Sequence, residues 1–214
     1  MNLNKLIKKP LDALAKASGV QLAAYSGVFL TVVFLINGLW GFAQESFLKS
    51  SGKLETVTLT VEDFEQVALQ STQDGSLVST DGDCQLLLKR EMLMSGVAFT
   101  AEYSVHPGEV TMYYTTKEGQ GFSATKRYRF FPVSGQENRY EISFGAKKMK
   151  SIRIDPTTAA GNNMKITEIT INAPKTIGSF FAVGYGDIFN LLVYSGIIAA
   201  CLGFVKEMVI KKTN

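Results

Sequence analysis

The residue types that carry out most enzymatic chemistry are sparse in this chain of 214 residues. Its one histidine, His106, sits in a His106-Pro107-Gly108 turn with no Ser or Cys spaced to serve as its nucleophile. Cys84 and Cys201 lie in segments of different character, so they form neither a disulfide framework nor a metal-ligand pair. No Gly-rich phosphate loop is present. Asp81 and Asp83 have the spacing that opens a calcium loop, but the remaining oxygen donors and the closing Glu are missing. The sequence therefore predicts no enzyme, no cofactor and no metal site.

What remains is binding. Flat aromatic faces can stack on sugar rings while neighbouring polar groups take the hydroxyls. Tyr113 alternates with Met112 and Tyr114, which turns it away from the core, and Phe131 breaks the alternation beside Arg127 and Arg129. Tyr113, Phe131, Arg127 and Arg129 are the candidate ligand-binding set; the competing role for the two rings is packing in a two-sided core or under a loop. Residues 44–116 are predominantly acidic and residues 117–153 predominantly basic. That imbalance suits an anionic polymer or lipid headgroup if the fold keeps the basic residues on one surface. The net charge of +3 does not argue for nucleic acid, because the surplus sits at Lys5, Lys8, Lys9 and Lys16 and at Lys206, Lys211 and Lys212.

Those terminal lysines flank two apolar runs. The first, residues 20–43, contains no charged side chain; it exceeds the roughly 20 residues needed to cross a hydrocarbon core. It is also longer than the apolar region of a cleavable signal, about 7 to 15 residues, so it reads as a retained transmembrane helix. The second, residues 187–210, opens at Asp187, which can cap the helix at its positive dipole end. Ser179, Phe180, Phe181 and Tyr185 precede it as an interfacial segment, 176–186. Flanking lysines mark the cytoplasmic side. The expected arrangement is a cytoplasmic basic segment (1–19), with an amphipathic pattern at Leu3, Leu6, Ile7, Leu11 and Leu14, two membrane passes, and a cytoplasmic tail (211–214). Ser195, Ala199 and Gly203 recur every fourth residue, and Ala23 and Gly27 offer a similar face on the first helix, so these five are the candidate helix-packing residues.

Between the runs, residues 44–175 change from helical to alternating periodicity. Val57/Leu59/Val61, Val97/Phe99/Ala101/Tyr103/Val105 and Val110/Met112/Tyr114 each alternate with polar or small residues, and Asp74-Gly75, Asp81-Gly82, Ser134-Gly135 and Gly161-Asn162 mark turns. Eight or nine short strands, with no convincing helix, predict an all-β antiparallel sandwich outside the membrane. Expected core residues include Leu86, Leu88, Phe130, Ile142, Ile152, Ile154, Met164, Ile166, Ile169 and Ile171; the step from Ile166 to Ile169 predicts a bulge near Thr167.

Two stretches, Thr80-Asp-Gly-Asp-Cys-Gln-Leu-Leu-Leu88 and Ser151-Ile-Arg-Ile-Asp-Pro156 with Gly161-Asn-Asn-Met-Lys-Ile-Thr-Glu-Ile-Thr-Ile171, resemble the jelly-roll-type module of bacterial membrane glycosyltransferases and polysaccharide-assembly proteins. Gly82 and Cys84 stand where that group has prolines. The resemblance implies a jelly-roll-like fold and an envelope-glycan setting, not a reaction. With it comes the expectation of an accessory protein of the bacterial cytoplasmic membrane, a glycosyltransferase or lipid-linked sugar transporter as neighbour, and glycan as ligand. A structural or interaction subunit that binds no sugar is the alternative. Arg153 and Asp155 read independently as structural, fixing a strand end at Pro156.

Overall fold

The computed structural model describes residues 16–213, so the basic segment with its amphipathic pattern lies outside the described residues. The chain divides into a helical unit, up to Ala43 and from Thr176, and a β unit, Gln44–Lys175.

The first helix, α1 (Gly19–Ser50), has signals at both ends. Ser18 Oγ accepts from the Gln21 N–H at 3.2 Å while Gln21 Oε1 accepts from the Ser18 N–H at 2.8 Å, a reciprocal capping box. At the other end Gly52 takes φ +68°, the Lys53 N–H bonds Leu48 O and the Gly52 N–H bonds Lys49 O, which closes the helix in a Schellman turn. The helix thus runs past the expected end at residue 43, and the Glu45–Lys49 pair at 3.0 Å supports its last turns. The second helix, α2 (Tyr185–Thr213), continues through the expected tail. Asp187 stands inside its first turn and accepts from the Gly184 N–H at 2.9 Å, so it completes the cap from within and does not begin the helix.

Two segments, Gly19–Ser50 and Gly186–Met208, are long and apolar enough to cross a membrane, and almost none of their surface is buried. Val20, Tyr25, Val28, Phe29, Trp40, Phe189 and Phe204 are all exposed, unlike the core helices of a soluble protein. Within the helical unit an added Cβ at Gly38 would stand 2.6 Å from the Phe181 ring and 2.8 Å from Phe180 O; Phe180 packs edge-on against Phe42, centroids 5.6 Å apart. The expected interfacial phenylalanines therefore cover the first helix.

The β unit contains twelve strands: β1 (Val57–Leu59), β2 (Glu65–Val67), β3 (Leu69–Ser71), β4 (Leu77–Ser79), β5 (Gln85–Leu88), β6 (Met92–Tyr103), β7 (Thr111–Thr115), β8 (Arg127–Arg129), β9 (Phe131–Val133), β10 (Gln136–Met149), β11 (Ser151–Asp155) and β12 (Asn163–Ile171). That exceeds the eight or nine expected, because strands of three residues are too short to show alternation. Val61 opens a 3-10 turn instead of extending β1, with Asp63 Oδ2 accepting from the Thr60 N–H at 2.7 Å.

All strand pairings among the described residues are antiparallel. One sheet has the order β3-β4-β12-β6-β10-β9, with β1 also on β12; the other is β2-β5-β11-β7-β8. Leu86, Met112, Ile152 and Ile154 from the second sheet meet Val97, Phe99, Ile142, Met164, Ile169 and Ile171 from the first in one buried cluster. The β12–β6 register shifts between Ile166 and Glu168, at the expected bulge. A second shift, between Ser143 and Lys147 of β10, was not expected. At Gly96 a Cβ would stand 2.7 Å from Ile142 O, so only glycine lets β6 lie that close to β10.

Two buried asparagines close the sandwich. Asn162 Oδ1 accepts from Val105 N–H and Ser104 Oγ, while its Nδ2 donates to Val105 O and Thr157 Oγ1. Asn172, at φ +56°, accepts from the Ser95 N–H at 2.7 Å and donates to Glu55 O and Leu93 O. Beside it the Lys175 ammonium donates to Glu45 Oε2 and Ser95 O, both at 2.8 Å.

Candidate functional site

Alternation in β7, β8 and β11 sends one set of side chains into the core and the other onto the outer face of the five-stranded sheet. Registers place Glu65, Leu87, Arg153, Tyr113 and Arg127 in one cross-strand row, and Arg129 opposite Thr111 in the next. Three of the four expected ligand-binding residues, Tyr113, Arg127 and Arg129, thus share this face.

Its centre is occupied by the protein's own ion pairs. Arg153 Nε and Nη2 donate to the two Asp155 carboxylate oxygens at 2.6 and 2.7 Å, and Nη2 also donates to Asp83. The two stretches that carry the sequence resemblance therefore meet in space, at Asp83 and Arg153. The Arg153 guanidinium lies 5.1 Å from the centroid of the Tyr113 ring, so this half-buried ring already has a cation on one face. Asp81 accepts from the Asp83 N–H at 2.7 Å, so both carboxylates of the calcium-like pair serve the turn and the ion pair. The Cys84 thiol donates to Thr157 O at 3.4 Å, and burial pushes its pKa up. His106 Nδ1 accepts from the Gly108 N–H at 3.0 Å and closes its own turn.

Phe131 has a different setting. Phe130 carries the chain from the edge of one sheet to the edge of the other and is buried, which leaves Phe131 outward on β9, 60% exposed. It lines a cavity of about 520 Å³ with Arg127, Arg129, Pro132, Ser134, Glu141 and Ser143. Arg127 has Glu109 at 3.9 Å, near the limit of an ion pair. Arg129 lies 5.9 Å from the Phe131 ring centre, and among the described residues its guanidinium has no carboxylate partner. One open ring, two guanidinium forks, a carboxylate and two hydroxyls together match the chemistry of a sugar ring, which has apolar faces and a polar rim.

A second cavity of about 580 Å³ opens on the same outer face where the 117–122 loop folds beside Leu87, Thr115 and Ser151. Lys126 Nζ and the Thr116 N–H both donate to Gln120 Oε1, at 3.1 and 3.2 Å, which fixes the loop. Lys148 and Lys150 close on Glu91 and hold its carboxyl below the usual range.

Several of these groups were not identified from sequence. Glu141 and Ser143 flank the core residue Ile142, so the alternation of β10 could have assigned them to the outer face. Lys147 could not be found that way, because the bulge resets the alternation before it. It donates to Tyr114 and Tyr128 at 2.9 and 3.1 Å, and Tyr128 stacks between Tyr114 and Phe144, centroids 5.4 and 4.4 Å away. These hydrogen bonds raise the Lys147 pKa and lower that of Tyr114.

Of the helix-packing set, Ser195, Ala199 and Gly203 share the half-buried face of α2, and Gly27 is half-buried while Ala23 is exposed. A Cβ at Gly27 or Gly203 would meet no atom of the described residues within 4 Å.

No family model and no curated protein matches the sequence. Solved structures do match it. A low-affinity xylan-binding module, CBM86, from Roseburia intestinalis is 14% identical over 55% of this chain and 94% of its own, with a TM-score of 0.36. A module from Clostridium stercorarium, solved with cellobiose, is 10% identical over 54% and 92%, TM-score 0.34. A family two carbohydrate esterase from Cellvibrio japonicus is 11% identical over 55% of this chain and 33% of its own, TM-score 0.36.

Proposed function

We propose that this chain is a non-enzymatic accessory protein of the bacterial cytoplasmic membrane, whose jelly-roll-like sandwich binds carbohydrate outside the membrane during envelope glycan assembly. In this reading α1 and α2 are the two membrane passes, both termini are cytoplasmic, and the neighbour is a glycosyltransferase or a lipid-linked sugar transporter. The exposed apolar helices and the lysines beyond them support the anchoring. The observation that carries the sugar reading is the open Phe131 ring in a cavity with Arg127 and Arg129. Tyr113 has a supporting part, holding Arg153 in the row it shares with Arg127.

Full-length protein in mild detergent, applied to an array of envelope polysaccharides, is expected to retain at least one of them at millimolar affinity or better. Phe131→Ala should weaken that binding about three- to tenfold, the share expected of one stacked aromatic. Binding unaffected by Phe131→Ala removes this cavity from the proposal. An array with no binding at all favours the second reading, an interaction subunit without sugar, which the small-residue face of α2 supports.

A further inference from the structure

Resting on the sugar reading, we infer that the Phe131 cavity selects an anionic saccharide, one whose ring carries a carboxylate or a phosphate beside the stacking face. The inference comes from how the arginines of the outer surface are spent. Arg153 commits its Nε and Nη2 to Asp155 and Asp83. Arg127 touches a carboxylate only at 3.9 Å. Arg129 reaches none among the described residues, yet its guanidinium stands over the Phe131 ring, which is 60% exposed.

A guanidinium fork matches a carboxylate or phosphate with two parallel N–H···O bonds, and such charge-assisted bonds are about twice as strong as neutral ones. A neutral sugar would use Phe131 but leave that fork facing water. Glu141 lies in the same cavity and Glu109 approaches Arg127, so the site is not a general basic patch. Instead the two carboxylates disfavour an anion placed away from Arg129, which sets where on the ring the charge must lie. The phosphate of a lipid-linked sugar and the carboxylate of a uronic acid share this chemistry.

Full-length protein in detergent micelles would be titrated with oligogalacturonate, its methyl ester, a maltooligosaccharide and galactose 1-phosphate. Oligogalacturonate or the sugar phosphate should bind at least about tenfold more tightly than the neutral ligands, with the preference reduced by 0.5 M salt. Arg129→Gln should abolish the preference while the weaker neutral binding persists, and Arg129→Lys should restore part of it. Arg139→Gln, at a half-buried arginine outside this cavity, should change nothing and shows that losing any nearby cation is not sufficient. Whichever anion binds, its charge identifies the source. If charged and neutral ligands bind equally through Phe131, the inference is overturned and the sugar reading stands. If Arg129→Gln and Arg139→Gln lower anion binding alike, the effect is diffuse charge and the inference is also overturned. If no saccharide binds in a Phe131-dependent way, the sugar reading itself falls.

Discussion

At the scale of single residues, the outer face combines groups that are already satisfied with groups that are not. Arg153, Asp155, Asp83 and Tyr113 complete one another, whereas Phe131 stays 60% exposed under the Arg129 guanidinium, which has no carboxylate partner among the described residues. The same contrast separates the asparagines. Asn172 is buried and its side chain serves three backbone groups, while Asn163, at the opposite end of β12, is exposed. Asn172→Ala would leave the Ser95 N–H and the Glu55 and Leu93 carbonyls without that partner and put alanine at φ +56°. With about 1 to 3 kcal/mol for each buried group left unpaired, less relaxation, the expected loss of unfolding free energy is about 2 to 5 kcal/mol. Asn163→Ala should stay within about 0.5 kcal/mol, as surface changes do. Denaturant unfolding of full-length protein followed by Trp40 and tyrosine fluorescence measures both; a change at Asn172 below 1 kcal/mol would contradict its role as the closing bond of the sandwich.

At the scale of elements, legibility followed length and regularity. Strands β6 and β12 were readable because their alternation is sustained, and the Ile166 to Ile169 step revealed its own bulge. Strands β2, β3, β8 and β9 were not, since three residues give one inward and two outward positions, or the reverse. The candidate site was half legible for the same reason. Tyr113 was placed by alternation and does pair with Arg127 across strands, but Phe131 belongs to the other sheet, and the crossing at Phe130 brings it beside Arg129. Lys147 stayed hidden because a bulge changes the direction of a side chain without changing the sequence pattern around it. The helices invite a test of their own. The strip at Ser195, Ala199 and Gly203 is proposed to receive a second helix, either within the chain or from a partner, because close backbone approach drives association in lipid. Gly203→Leu should then release whatever co-purifies or prevent crosslinking between cysteines at 27 and 199, and Ala199→Leu should release whatever co-purifies, while Val193→Leu should have no effect. If neither leucine alters crosslinking or co-purification, the strip only faces lipid. Gly38→Leu should disturb the helical unit more than either, since a Cβ there meets Phe181.

At the scale of the whole molecule, the account depends on where the sandwich stands. Sugar binding by an isolated fold has little meaning here unless the two apolar helices present that fold on the glycan side. Cysteine labelling reads this directly, because Cys84 is fully buried and Cys201 can be replaced by Ser to clear the background. In intact cells, a membrane-impermeant maleimide should label Glu118→Cys in the exposed loop of the β unit, and should label cysteines placed at positions 2 and 214 only after the membrane is opened. Labelling of either terminus in intact cells, or protection of Glu118→Cys until the membrane is opened, would contradict an external sandwich held by two membrane passes.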